Sequence, residues 1–167
     1  MTIGSNFELP CGVTLKNRLC KAAMTEGIAD SNNFTTQRHI NLYKKWSAGG
    51  AGILLTGNVQ VDRRYLEGPG NVAIEKNSYY EQYDFLKKWA KAGTSNNTQL
   101  WMQISHAGRQ TPGDINKSPL SPSSVQLKIP GASYGVPTPM SVEDIEDVIE
   151  RFIFVATIAK ETGFTGM

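Results

Sequence analysis

Residues 100–110 read LWMQISHAGRQ, an apolar strand that turns into a polar, charged loop. Leu100, Trp101, Met102 and Ile104 supply the hydrophobic surface that a strand covered on both faces requires. Gln103 interrupts it with a primary amide, which carries two donors and an acceptor. Burying that amide unpaired would cost about 1–3 kcal/mol, so a polar partner is expected opposite it, either neighbouring backbone or a ligand. Ser105, His106, Gly108 and Arg109 follow at once, where the chain leaves its sheet.

Two strand-like runs precede this one. Residues 18–23 read as a buried strand whose exit is Met24-Thr25-Glu26-Gly27, and residues 51–56, AGILLT, form a second that ends at Gly57-Asn58. Between them, residues 35–48 place Ile40, Tyr43 and Ser47 on one stripe with Leu42 and Trp46 beside it, a helical spacing. Gly49-Gly50 stands where a C-terminal cap belongs. Residues 59–71 read as a loop whose charges, Arg63, Arg64 and Glu67, are expected in solvent. Residues 78–92 form a second helix carrying Tyr79, Tyr83, Leu86 and Ala90, with Phe85 and Trp89 beside them and Gly93 at its end.

The flanks extend the pattern. Residues 7–9 and 13–15 make a small hairpin around Gly12, which supplies the positive φ of the turn. The loop 108–139 holds six of the eight prolines, and a loop that long is usually functional or disordered. Ser141 and Asp144 form a capping box for a third helix. Its buried face is expected to be Ile145, Val148, Ile149, Phe152, Val155, Ala156 and Ala159, with Gly163 closing it. Phe164-Thr165-Gly166-Met167 begins a fourth strand.

Alternating strands and helices argue for a parallel sheet with helices outside. Neither the Gly-x-Gly-x-x-Gly turn of a dinucleotide-binding open sheet nor a P-loop occurs. The unusual residues cluster at strand C-terminal ends, where a barrel places its chemistry. The expected fold is therefore α/β, a (β/α)8 TIM barrel present here as an N-terminal hairpin and about its first three β/α units.

Composition adds exclusions. Seventeen basic against fifteen acidic side chains give a net charge of +2, no argument for nucleic acid or an anionic membrane. No apolar stretch approaches the ~18–20 residues of a membrane span, and the first residues lack the build of a secretory signal or transit peptide. A cytoplasmic location is expected. Cys11 and Cys20 read as reduced thiols without a second pair at metal spacing, so no metal site is expected.

Several motifs together resemble the old yellow enzyme family, the FMN-dependent NADH:flavin oxidoreductases and NADH oxidases. They are Leu15-Lys16-Asn17-Arg18-Leu19 running into Lys21-Ala22-Ala23-Met24-Thr25-Glu26, Gly50 through Val59, Gln99 to Gln110 with its HAGRQ ending, and Met140-Ser141 with Glu161-Thr162-Gly163-Phe164-Thr165-Gly166 around the third helix. The resemblance covers essentially the whole chain. It implies a flavin site in which the backbone of Ala23 and Met24 packs on the ring and Thr25 directs a hydroxyl at a pyrimidine carbonyl. Gly57 would admit backbone to the ring edge, and the Gln103 amide would pair with the pyrimidine edge. No catalytic residue is assigned. His106 is expected to be structural, His39 to lie on a helix surface, and Asn17-Arg18 to hold the closed end of the barrel.

The resemblance further implies hydride transfer from NADH or NADPH through FMN to a small-molecule acceptor such as an activated alkene, a quinone or oxygen. The family's substrate-binding histidine pair, flavin-side arginine and phosphate loops would follow Gly166. Residues 1–167 are thus expected to be the N-terminal part of one barrel domain, incomplete at the C-terminus, with little or no activity alone. Two alternatives stay open: a non-catalytic half-barrel that pairs with another chain, and a barrel enzyme of other chemistry such as a lyase or aldolase.

Overall fold

A computed structural model describes residues 2–167. Its spine is a parallel sheet in which β4 (Ile53–Gln60) lies between β3 (Cys20–Lys21) and β6 (Gln99–Ser105). The helices α1 (Gln37–Ala48), α2 (Tyr79–Gly93) and α3 (Val142–Thr162) alternate with these strands in the chain. Ahead of them β1 (Phe7–Glu8) and β2 (Thr14–Leu15) form the expected antiparallel hairpin, with Gly12 at φ +84°. A short β5 (Val72–Ala73) pairs with the last residues of β4. The chain's end begins a further parallel strand: the Thr165 N–H donates to Leu100 O and the Met102 N–H to Gly166 O, each at 2.9 Å.

Strand alternation decides what each face of the sheet sees. Leu54, Val59, Leu100 and Met102 point to the helices and pack with Tyr43, Leu86, Trp89, Val155 and Ile158. Trp89 is fully buried, edge-on to Tyr43 at 5.2 Å and to Phe164 at 5.3 Å. Each such pair is worth about 0.5–1.5 kcal/mol beyond the area it buries. At the N-terminal end of the strands Asn17 donates its amide to Gly50 O at 2.6 Å and accepts the Leu19 N–H at 3.0 Å. A Cβ at Gly52 would lie 2.6 Å from Asn17 O, so strand and loop meet there only because residue 52 has no side chain.

Several expectations are corrected. The run 51–56 is the start of an eight-residue strand, and Gly57-Asn58 lies inside it. The register against β6 shifts between Leu55 and Asn58. The Thr56 hydroxyl patches that irregularity by accepting the Gln103 N–H at 2.9 Å and donating to Gly57 O at 2.8 Å. The run 18–23 pairs only over two residues, with Cys20 exposed, because β3 is an edge among the described residues. Gly93 is still helical and serves packing: a Cβ there would sit 3.2 Å from Leu100 Cδ1.

The loop 108–139 is pinched by β7 (Leu120–Ser121) pairing in parallel with β8 (Thr138–Pro139). In α3 the capping box and the left-handed Gly163 are as expected. Ile145 and Ile149, however, are exposed, since burial on this helix begins only at Val155, where it reaches α2 and β6.

His39 is also corrected, being 1% exposed rather than on a helix surface. Its ring lies 4.9 Å from Trp89, and its Nδ1 accepts the Thr36 N–H at 3.1 Å, finishing the N-terminus of α1. Burial, with the neighbouring Arg38 charge, lowers its pKa to about 4. The unfolded histidine takes up a proton near pH 6.5 while the folded one refuses it until about pH 4. This side chain therefore stabilises the fold fully above pH 6.5 and progressively less down to pH 4. The loss expected across that window is about 3 kcal/mol. Urea unfolding at pH 7 and pH 4 will show it, and His39→Asn, which keeps an acceptor but does not titrate, will reduce the difference. Gly52→Ala is expected to cost about 1–3 kcal/mol by overpacking against Asn17, read as a lower urea midpoint.

Candidate functional site

The C-terminal ends of the parallel strands bring three of the sequence-assigned residues together. Thr25 follows β3, Gly57 lies in β4 and Gln103 in β6. Asn58 is the register partner of Gln103, and residues paired this way share a face of the sheet. That face is the one turned away from the helices, because Met102, one residue before Gln103, belongs to the helix-side core.

Gln103 is accordingly exposed, not buried among apolar side chains. Alternation turns residue 103 to that face. Ala23 is half-buried and Met24 is 55% exposed, flanking the same end of the sheet.

Gly57 is buried within β4 and is not a turn glycine. Its missing side chain admits residues 24–26: a Cβ would stand 2.5 Å from Met24 O and 2.8 Å from Thr25 Cα. The Gly57 N–H donates to Glu26 Oε1 at 3.0 Å, and the Tyr43 hydroxyl donates to the same oxygen. Burial, reinforced by the Glu26 charge and that hydrogen bond, pushes the Tyr43 hydroxyl far above the usual phenol range. Glu26 thus ties the exit of β3 to β4 and to α1.

A carboxylate stands across the site. Glu67 Oε2 accepts the Thr25 hydroxyl at 2.8 Å and also the Asn58 amide. The loop that carries Glu67 is braced on several sides. The Asn71 Oδ1 accepts the Gly68 N–H at 2.8 Å, and the Ala29 N–H donates to Gly70 O at 3.0 Å. Gly70, at φ +79°, presses on Gly27, whose carbonyl oxygen would be 2.6 Å from a Cβ.

Before that loop, Asp62 is 1% exposed and pairs with Arg64 at 2.5 Å and Arg151 at 3.4 Å, while Arg63 pairs with Glu75 at 2.5 Å. Burial works to raise the Asp62 carboxyl, but Arg64's hydrogen bonds and the Arg151 charge overcome it and hold the group below its usual value. Arg63, Arg64, Glu75 and Arg151 line a cavity of about 540 Å³ against α3. Arg63, Arg64 and Glu67 are therefore partnered, not simply solvated, because the exits of β3, β4 and β5 and helix α3 bring opposite charges or donors to them.

His106 does not join the Thr25–Asn58–Gln103 group. Its ring packs 4.6 Å from that of Tyr65, and burial, partly countered by Asp62, lowers its pKa. That agrees with a structural position.

A hydroxyl and two primary amides on one open face offer several donors and acceptors side by side. Such a set fits the alternating carbonyl and N–H edge of a flavin pyrimidine ring, and Thr25, Asn58 and Gln103 are the side chains that could hold it. Asn58 is visible in the sequence as a polar residue breaking an apolar strand, the same signal that singled out Gln103. Glu26 and Glu67 leave no such trace, since each acquires its role from partners distant in the chain.

The sequence profile of the NADH:flavin oxidoreductase / NADH oxidase family matches residues 9–167. The chain is 36% identical to the NADH-dependent flavin oxidoreductase iliE of Neonectria sp. (strain DH2), over 98% of this chain and 23% of that protein. It is 33% identical to the protein of the same name from Hypocrea jecorina (strain QM6a), over 96% of this chain and 44% of that protein. Its fold matches the old yellow enzyme homologue from Zymomonas mobilis with a TM-score of 0.84 at 20% identity, covering 99% of this chain and 47% of that one. The chain thus spans less than half the length of these proteins and takes the fold of the first part of the old yellow enzyme barrel. A match this extensive means that the chain belongs to the NADH:flavin oxidoreductase / NADH oxidase family.

Proposed function

We propose that these 167 residues form the pyrimidine-side half of an FMN site in an NAD(P)H-dependent flavin oxidoreductase. In this reading hydride passes from NADH or NADPH to the flavin and on to a small electrophilic acceptor, an activated alkene, quinone or oxygen. The name shared by the two fungal relatives, NADH-dependent flavin oxidoreductase, favours NADH as the donor. The observation that carries the reading is the convergence of Thr25, Asn58 and Gln103 at one end of the parallel sheet.

When bound, FMN supplies the hydride-accepting and hydride-donating chemistry. The residues described here bind and orient. The Gln103 amide, on the open face, can donate to a ring carbonyl and accept from the ring imide N–H. Gly57 keeps residues 24–26 against β4, so that Met24, with Ala23 just before it, presents backbone to the same region. Donors aimed at oxygens that gain negative charge on reduction stabilise the reduced ring more than the oxidised one. As part of this reading, residues 1–167 belong to a single barrel domain acting on small molecules in the cytoplasm. Among the described residues no helix is long and apolar enough to cross a membrane.

Riboflavin fluorescence will be quenched by the protein in a saturable titration, and FMN will bind with the same affinity within about twofold, since ring contacts dominate. Gln103→Leu, a change at an exposed position, is expected to weaken binding about tenfold, the ~1.4 kcal/mol of one hydrogen bond to the ring. Unsaturable quenching, or a Gln103→Leu variant indistinguishable from the parent, would contradict the reading.

A further inference from the structure

We infer that Glu67 is a positioning residue that sets the direction of the Thr25 hydrogen bond and thereby governs how tightly the flavin ring is held. The inference rests on the flavin reading above and concerns a side chain that reading does not use. A threonine hydroxyl has one proton and two lone pairs. In this structure the Thr25 hydroxyl donates that proton to Glu67 Oε2 at 2.8 Å. A hydroxyl committed in this way presents only lone pairs elsewhere, so it can accept from a ring N–H but cannot donate to a ring carbonyl. The same carboxylate oxygen takes the Asn58 amide, a second donor beside Gln103. Glu67 thus competes with a flavin carbonyl for two donors at once.

Its own charge acts in the same sense. A carboxylate near electron-rich carbonyl oxygens repels them, most of all where the surroundings are partly desolvated. Nor is Glu67 a wandering surface side chain. Its loop is pinned by Asn71, by Gly70 against Gly27 and by the ion pairs of Asp62 with Arg64 and Arg151. Exposure of Glu67 itself means that its removal leaves the core untouched.

The test is a double-mutant cycle read by riboflavin fluorescence titration of the full chain, with far-ultraviolet circular dichroism melts checking that each variant folds. Glu67→Ala is expected to bind riboflavin about fivefold or more tightly than the parent, with Glu67→Gln between the two. Thr25→Ala is expected to remove most of that gain, so that Thr25→Ala/Glu67→Ala tightens over Thr25→Ala by less than about twofold. A Glu67→Ala protein that binds as the parent does, or more weakly, overturns the inference and leaves the flavin reading standing. An equal gain with and without Thr25 also overturns it, since release of the Asn58 amide and loss of the charge would then explain the effect without Thr25. If neither the parent nor any variant binds riboflavin, the flavin reading and this inference both fall.

Discussion

The approach of residues 24–26 to Gly57 is the constraint on which the site depends. With any side chain at 57, the Met24 carbonyl and the Thr25 backbone would have to move away from β4. The hydrogen bond from the Gly57 N–H to Glu26, and the Tyr43 hydroxyl on the same carboxylate, then fix that approach from the other side. Thr25 is brought within reach of Glu67, and Glu67 within reach of Asn58, as a consequence. The register of β4 against β6 adds Gln103. A missing Cβ thus does more to assemble this end of the sheet than any one polar contact, because backbone atoms cannot yield as a flexible side chain can.

The two ends of the sheet divide their labour as barrels usually do. At the N-terminal end Asn17 bonds backbone, holding Gly50 and Leu19, and its neighbour Gly52 again lacks room for a side chain. At the C-terminal end the polar groups bond one another across separate loops, and several keep an exposed side. The helix-side core, built on Trp89, Tyr43 and Leu100, supplies the rigidity that lets those loops be held in place.

Much of this was legible in the chain itself. The 3.6-residue spacing around Tyr43 and Trp89 marks helices, the Ser141–Asp144 box and Gly163 bracket α3, and the apolar runs mark β4 and β6. What escaped has physical causes. Ile145 and Ile149 fit a helical stripe, but periodicity reports which side is apolar and not whether anything lies against it. His39 reads as a polar surface residue until Trp89, fifty positions away, covers it. Gln103 reads from the sequence as an amide needing a partner inside an apolar strand, whereas the fold puts it on an open face in register with Asn58. Glu67 could not be found from local pattern, since a lone loop carboxylate acquires meaning only from the donors that the fold brings to it.

The claim that a flavin ring is read at this end of the sheet can be tested at atomic positions by two-dimensional 1H–15N NMR during a riboflavin titration. The account predicts that the largest shift changes fall on the side-chain amides of Asn58 and Gln103 and on the backbone N–H groups of Thr25 and Gly57. Changes centred instead on the arginine-lined cavity around Arg63 and Arg151, or scattered with no focus, would contradict it.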